Sequence, residues 1–287
     1  MADLAALLRA SAHETSDSLR PQLVRAIEDL MAHALLAEAP STRDPLADAI
    51  NYPAGILAET ILEVLRSKPL GRGENLPDDV RILLDRLFQT ATPAGRLARV
   101  IISSRLALLH AVDETWAREW AIPCFDWARP DEALGAWQGY LWSPRLDPAL
   151  AAAIKPHFLA TFDHLAELGN RFRQQLAGLL AFASIEIYSV ISAGEAKEAL
   201  SKLDEDGRAT VAHWLERKLE GAGNRAASLW RQTVGPWLQA AWPRETRLHG
   251  SKSSINLALA ATKAGSAFPE AVTTVLGLLG QISSGDC

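Results

Sequence analysis

One pattern occurs twice in this chain, first as Gly135-Ala-Trp137-Gln-Gly-Tyr-Leu-Trp142-Ser-Pro144-Arg145 and, one hundred residues later, as Gly235-Pro-Trp237-Leu-Gln-Ala-Ala-Trp242-Pro243-Arg244. Each copy has a glycine two residues before a tryptophan, a second tryptophan five residues further on, and then a Pro-Arg ending. Repetition at a fixed spacing is typical of stacked helical units. The alternative is that two helix ends match by chance, since the chain has 9 tryptophans in 287 residues.

The sequence around these copies is typical of helices. Alanine and leucine dominate, both strong helix formers, and no run of alternating β-branched residues is present. Apolar residues recur at helical spacing, as in Leu23, Ile27 and Leu30, and prolines stand at first-turn positions. The pattern predicts an all-α fold of roughly a dozen stacked helices. It favours a HEAT-like or irregular helical superhelix.

The same pattern suggests two helical lobes, residues 1–193 and 194–287, although one continuous helical array fits it as well. The boundary is placed at Gly194 to Leu203, which looks like a short connector. The glycine-rich stretch from Gly71 to Leu76 is the other candidate break. Pro53 is expected to kink or split the helix that begins near Pro45.

Composition places the protein in a reducing cytoplasm. The only cysteines are Cys124 and Cys287, which do not form a disulfide framework, and the amino terminus lacks the basic start of a signal peptide. Apolar runs are short, so no membrane partner is expected. A helix begins almost at Met1, and the end from Gly280 to Cys287 is abrupt. The sequence therefore also fits a piece of a larger protein.

The charge is unevenly distributed. Between Gly207 and Gly265, nine Lys or Arg residues stand against three acids, a local charge of +6 within a chain of −5. Such a segment can attract nucleic acid or an acidic partner. The alternative is a set of solvated helix faces paired with the acidic remainder. The candidate interaction residues are Arg225, Arg231, Arg244, Arg247 and Lys252.

The paired tryptophans also have two interpretations. Trp137 and Trp142 are five residues apart, as are Trp237 and Trp242. Five residues turn about 140° around a helix, so both members of a pair are buried only if the buried face is broad. A structural packing role is expected, and a stacking platform for a base or ligand is the alternative.

An enzymatic site would have to assemble from distant residues. The sharpest local cluster is formed by His157, Asp163, His164 and Glu167, but only His164 and Glu167 have the spacing of metal ligands on one helix. Cys124 is the other candidate, as a nucleophile or, more commonly, a small buried residue. The stretch from Gly250 to Ser254 has phosphate-loop residues in the wrong order. No catalytic residue, metal or cofactor is therefore assigned.

Several stretches together resemble the helical region that follows a sirtuin-like domain in some bacterial anti-phage defence proteins. They are Asn51-Tyr-Pro-Ala-Gly-Ile-Leu-Ala-Glu59, Phe125-Asp-Trp127 with Glu132-Ala-x-x-Ala-Trp137, Trp142-Ser-Pro-Arg145 with Leu150 to Phe158, and Phe268-Pro-Glu-Ala-Val272. The resemblance extends over residues 45–285 and includes no catalytic motif. It implies that a neighbouring domain consumes NAD while the helical part senses or assembles.

The leading hypothesis is thus a cytoplasmic, non-catalytic interaction or sensor module, the regulatory part of a larger bacterial defence protein. Its partner would be another protein or another domain of the same chain. A nucleic-acid-binding domain that uses residues 207–265 and an enzyme with a dispersed site are the alternatives.

Overall fold

The computed structural model describes residues 2–12, 18–40, 44–67, 69–187 and 190–279. All regular secondary structure in these ranges is helical, and the helices pack against one another, so the predicted all-α fold is confirmed. The chain forms two compact units, Met1–His157 and Phe158–Cys287. The ending from Gly280 to Cys287, described as abrupt above, lies outside the described residues.

The first unit contains ten helices within its described residues, the last of which crosses the division between the units. They are α1 (Ala2–Ala12), α2 (Arg20–Ala34), α3 (Pro45–Asn51), α4 (Pro53–Arg66), α5 (Asp78–Gln89), α6 (Pro93–Ser103), α7 (Leu106–Val112), α8 (Glu114–Trp116), α9 (Pro130–Trp142) and α10 (Pro148–Ala160). A π-helical segment, Ala117–Ala121, and a 3-10 segment, Ile122–Phe125, follow α8 directly.

Helix α6 lies at the centre of the first unit and packs against α3, α4 and α9. Its apolar residues Leu97, Val100 and Ile102 are buried. The α6–α9 contact is unusually close, because a β-carbon added at Gly139 would lie 2.0 Å from the carbonyl oxygen of Val100. Only glycine fits at that position unless the two helices move apart.

The second unit contains eight α-helices within its described residues. They are α11 (Leu165–Leu168), α12 (Asn170–Ile185), α13 (Ala193–Lys202), α14 (Glu205–Ala222), α15 (Ala226–Leu229), α16 (Gly235–Ala241), α17 (Ser251–Thr262) and α18 (Phe268–Leu276). Helix α14 is the central element, with α12 and α17 packed along it. Helix α16 packs against α13 and α18.

Two π-helical segments share one sequence feature. The segment Ala117–Ala121 ends two residues before Pro123, and Trp230–Val234 ends two residues before Pro236. A proline ring inside a helix clashes with the carbonyl four residues earlier and cannot donate a hydrogen bond. In both places that carbonyl belongs to the π segment, where the wider turn gives it room. The prolines therefore account for both segments.

Two predictions about single segments, a break at Pro53 and a connector after Gly194, can be compared with the helix boundaries. Pro53 does split its helix, since α3 ends at Asn51 and α4 begins at Pro53. The prediction of a short connector from Gly194 to Leu203 is wrong, because helix α13 (Ala193–Lys202) occupies this stretch. Ser192 accepts a hydrogen bond from the backbone N–H of Glu195, and the Glu195 carboxylate accepts one from the N–H of Ser192. This capping box starts the helix despite Gly194.

The division between the compact units lies after His157 and not at residue 194. Helices on both sides of residue 194 pack together, since α12 contacts both α13 and α14. The stretch from Gly71 to Leu76 is an irregular loop as expected, but both of its ends belong to the first unit.

Candidate functional site

Most cations of the basic segment bind acids of the same unit. The ion pairs are Arg231 with Glu270 (Nη2–Oε1 2.9 Å), Lys252 with Asp206 (2.7 Å), Lys263 with Glu220 (3.0 Å), Arg208 with Glu205 (3.8 Å), Arg217 with Glu220, and Lys218 with Glu186. Apart from the pair of the buried Arg208, these pairs are partly or fully exposed and contribute little to stability. They do, however, neutralise much of the +6 charge that could attract a polyanion.

Three of the five candidate cations form no ion pair among the described residues, although the pKa of the Glu245 carboxyl is lowered by backbone hydrogen bonding and also by the nearby Arg247. Arg225, Arg244 and Arg247 are exposed, and none forms an ion pair with a residue in the described ranges. Arg225 lines an open pocket of about 550 Å³ together with Arg217 and Lys218. The Arg244 guanidinium donates to the carbonyl of Gln239 (3.2 Å). All five candidate cations are exposed, their role in binding stays a prediction, and the sequence could not show which of them are paired.

Exposed apolar side chains occur on α17 and α18. Ile255 and Leu259, one turn apart on α17, are 37% and 41% exposed, and Phe268 and Leu276 on α18 are 45% and 63% exposed. The opposite side of α17 is apolar as well, because Leu257, Ala260 and Ala261 are buried there. Helices α17 and α18 also contact each other. We call Ile255, Leu259, Phe268 and Leu276 the α17–α18 apolar residues.

The four pattern tryptophans differ in burial. Trp137, Trp237 and Trp242 are buried, whereas Trp142 is 42% exposed. Trp137 packs edge-on against Phe125, with ring centres 4.9 Å apart, and its Nε1 donates to the Phe125 carbonyl (3.3 Å). Burial supports a packing role for three of the rings, so only Trp142 offers a face for stacking.

The prolines of the two copies agree in position. Pro144 and Pro243 both lie two residues past a helix end, as expected for a residue that cannot continue a helix. The second tryptophans differ in both position and burial. Trp142 is the last residue of α9 and is exposed, whereas Trp242 follows the end of α16 and is buried. Full structural equivalence of the two copies stays a prediction.

The candidates for an enzymatic site are not brought into a reactive arrangement. Burial raises the pKa of Cys124 to about 12, so the thiol is protonated at neutral pH, whereas the thiolate is the nucleophile. His164 Nδ1 lies 3.4 Å from Glu167, while Asp163 pairs with Lys202 (2.8 Å). Within the described ranges, no three His, Cys, Asp or Glu side chains are placed to hold a metal ion.

Two charged features were missed by the sequence reasoning. Arg99 is buried among the apolar residues of α6 and binds Glu132 of α9. A cation inside the run from Leu97 to Ile102 was the available signal for this pair. Arg66, Arg105 and Arg145 together line a pocket of about 290 Å³. No local pattern could have revealed that pocket, since its three arginines are far apart in the sequence.

Comparison of the chain with protein-family models, with curated proteins and with solved structures gave no match. The fold and the sites define an all-α protein with two helical units and several charged or apolar surface features. Across the described part of the chain, no helix has both the length and the apolar character needed to span a membrane.

Proposed function

We propose that this chain is a helical interaction module that binds a protein partner through the α17–α18 apolar residues. The exposure of Ile255, Leu259, Phe268 and Leu276 on two adjacent helices carries this proposal. Exposed apolar side chains grouped on neighbouring elements favour a binding surface, whereas single ones scattered over a surface need no explanation.

The charge next to α17 indicates the chemistry of the partner. Arg244 and Arg247 precede α17 in the chain, and both are exposed without an ion pair among the described residues. A partner that covers the apolar residues and presents acidic side chains at its edge would bind these cations as well. We therefore propose an amphipathic helix with acidic flanks as the partner segment.

Photo-crosslinking in cells that express the complete gene tests the proposal. A photoreactive amino acid at Leu259 or Leu276 is expected to give one discrete cross-link, which peptide mass spectrometry assigns to another protein or to a neighbouring domain of the same chain, and Ile255→Lys should abolish it. The matched control is the same amino acid at Ile82, an equally apolar, 59% exposed residue on α5. Absence of an adduct at both α17–α18 positions, or the same adduct at Ile82, would contradict the proposal.

The proposed setting is a larger bacterial defence protein in the cytoplasm, with the partner segment in a neighbouring NAD-consuming domain. The support for this setting is the resemblance of residues 45–285 to helical regions that follow sirtuin-like domains. The isolated chain is then expected to show no NAD cleavage, and robust turnover by it would contradict the assignment of chemistry to the neighbour.

Nucleic-acid binding is the second candidate function. It is supported by the pocket that Arg217, Lys218 and Arg225 line. The ion pairs of Arg217 with Glu220 and of Lys218 with Glu186 reduce the charge available there. We therefore place protein binding first.

A further inference from the structure

A second pocket, in the first unit, is lined by three arginines from three separate elements. Arg66 is the last residue of α4, Arg105 lies between α6 and α7, and Arg145 lies in the loop after α9. The pocket has a volume of about 290 Å³ and is open to solvent. None of its lining residues is acidic, so three like charges surround one space.

The charges of this pocket are largely uncompensated. Arg66 Nη1 binds Glu63 Oε1 (2.9 Å) on its own helix. Arg105 and Arg145 form no ion pair with any residue in the described ranges. Bringing cations together without acids is unfavourable, and a bound anion relieves the repulsion. Arginine also presents paired N–H donors that match the oxygens of a phosphate or carboxylate.

Neighbouring residues hold part of the arginine pocket in place before any ligand binds. The hydroxyl of the buried Tyr140 donates to the carbonyl of Arg145 (2.8 Å), which holds the loop after α9 against the helix. Ser104 and Ser143, which carry hydroxyl groups, also line the pocket. A preformed site loses less freedom when its ligand binds.

We propose that this pocket binds the phosphate group of a small phosphorylated molecule, chiefly through Arg105 and Arg145. The volume of about 290 Å³ lies at the lower end of the range for small-molecule sites, which favours a compact ligand. Tyr140, the one aromatic lining residue, is 1% exposed and offers no face on which a base could stack. The site therefore fits a phosphomonoester of a small metabolite better than a nucleic acid.

Titration calorimetry on the full chain tests this proposal, with glycerol 3-phosphate as the probe and inorganic phosphate as the minimal ligand. At about 10 mM salt, where screening is weak, we expect one molecule per chain with a dissociation constant of roughly 1 mM or lower. Arg105→Gln and Arg145→Gln should each weaken binding roughly tenfold or more, the ratio that corresponds to one charge-assisted hydrogen bond.

Two further variants make the result specific. Arg86→Gln removes an exposed arginine of α5 outside the pocket and should leave the dissociation constant within about twofold. Arg145→Lys keeps the charge without the paired donors and should retain part of the affinity. Thermal melting verifies that each variant is folded. No binding up to about 10 mM probe, or equal weakening by Arg86→Gln, would overturn the proposal.

Discussion

The guanidinium of Arg99 and the carboxylate of Glu132 form a buried two-point ion pair between α6 and α9. Nε lies 2.6 Å from Oε1 and Nη2 lies 2.9 Å from Oε2, and both side chains are at most 10% exposed. The remaining Nη1 donates to the carbonyls of Leu87 (2.8 Å) and Thr90 (2.9 Å). One cation thus connects α6, α9 and the end of α5.

We expect Glu132→Gln to lower the free energy of unfolding by about 3–5 kcal/mol, because it leaves a buried guanidinium without its counter-charge. Denaturant unfolding measures the loss. The control is Glu114→Gln, which removes the exposed partner of Arg118 and should produce no resolvable change. The double change Arg99→Met with Glu132→Leu should recover part of the loss, but not all, since the Leu87 and Thr90 carbonyls lose their donor. Equal effects of Glu132→Gln and Glu114→Gln would contradict this assignment.

The two tryptophans of the first copy should differ sharply in their contribution to stability. Trp137→Ala removes a fully buried ring that packs against Phe125, and should cost about 3–5 kcal/mol of unfolding free energy. Trp142→Ala removes a ring that is 42% exposed, and should cost about 1 kcal/mol or less. Chemical denaturation of both variants compares them directly. Similar losses would show that Trp142 has a structural role that its exposure does not reveal.

The close approach of α6 and α9 can be tested with one methyl group. Gly139→Ala places a β-carbon 2.0 Å from the Val100 carbonyl oxygen and should destabilise the first unit by about 1–3 kcal/mol. The matched control is Gly178→Ala inside α12, where no atom beyond the adjoining residues and the local backbone of the helix lies within 4 Å of the added carbon. That control should instead stabilise the protein by about 0.5–1 kcal/mol, because alanine is the better helix former. Melting temperatures that shift in the same direction for both variants would refute the packing argument.

His110 predicts a dependence of stability on pH. The side chain is 2% exposed, neither ring nitrogen has a hydrogen-bond partner among the described residues, and Glu114 lies 4.0 Å from Nε2. Burial lowers the pKa of His110 below its ordinary 6.5, the largest effect, and the nearby Glu114 opposes it. As the pH falls below about 6.5, the unfolded chain binds a proton that the folded chain does not, so stability decreases.

Unfolding measured between pH 8 and pH 5 tests this dependence. One proton contributes a slope of at most about 1.4 kcal/mol per pH unit, and His110→Leu should remove that contribution. His33→Leu, at a histidine exposed on α2, provides the control for the loss of one imidazole. If the unfolding free energy of His110→Leu depends on pH as steeply as that of the unchanged protein, other groups cause the pH dependence.

The charge pairing in the second unit predicts which arginines can affect nucleic-acid retention. If the protein binds DNA or RNA, the triple change of Arg225, Arg244 and Arg247 to Glu should abolish salt-sensitive retention on a heparin or DNA column. Changing Arg231, which already binds Glu270, should have a smaller effect. Retention unaffected by the triple change would remove the basic segment from consideration.

The sequence predicts the class of fold because the dominant signals are local. Alanine and leucine favour helices, prolines in first turns mark where several of them begin, and Pro53 divides two helices as expected. The incorrect prediction at α13 also came from a local signal. Gly194 suggested a break, but the Ser192–Glu195 capping box favours a helix there. Arg66, Arg105 and Arg145 come together only through packing of α4, α6 and α9. No short window of sequence contains that information.

The two prolines that follow π-helical segments have a consequence for how this chain can change in evolution. A π turn closes with one residue more than an α turn, and one residue corresponds to about 100° of rotation around a helix. Deleting a residue from Trp230–Val234 would close an ordinary α turn and leave Trp237 on the same face of the helix, but Pro236 would then clash with that turn. In homologous chains the proline and the additional residue are expected to be gained or lost together, at both Pro123 and Pro236.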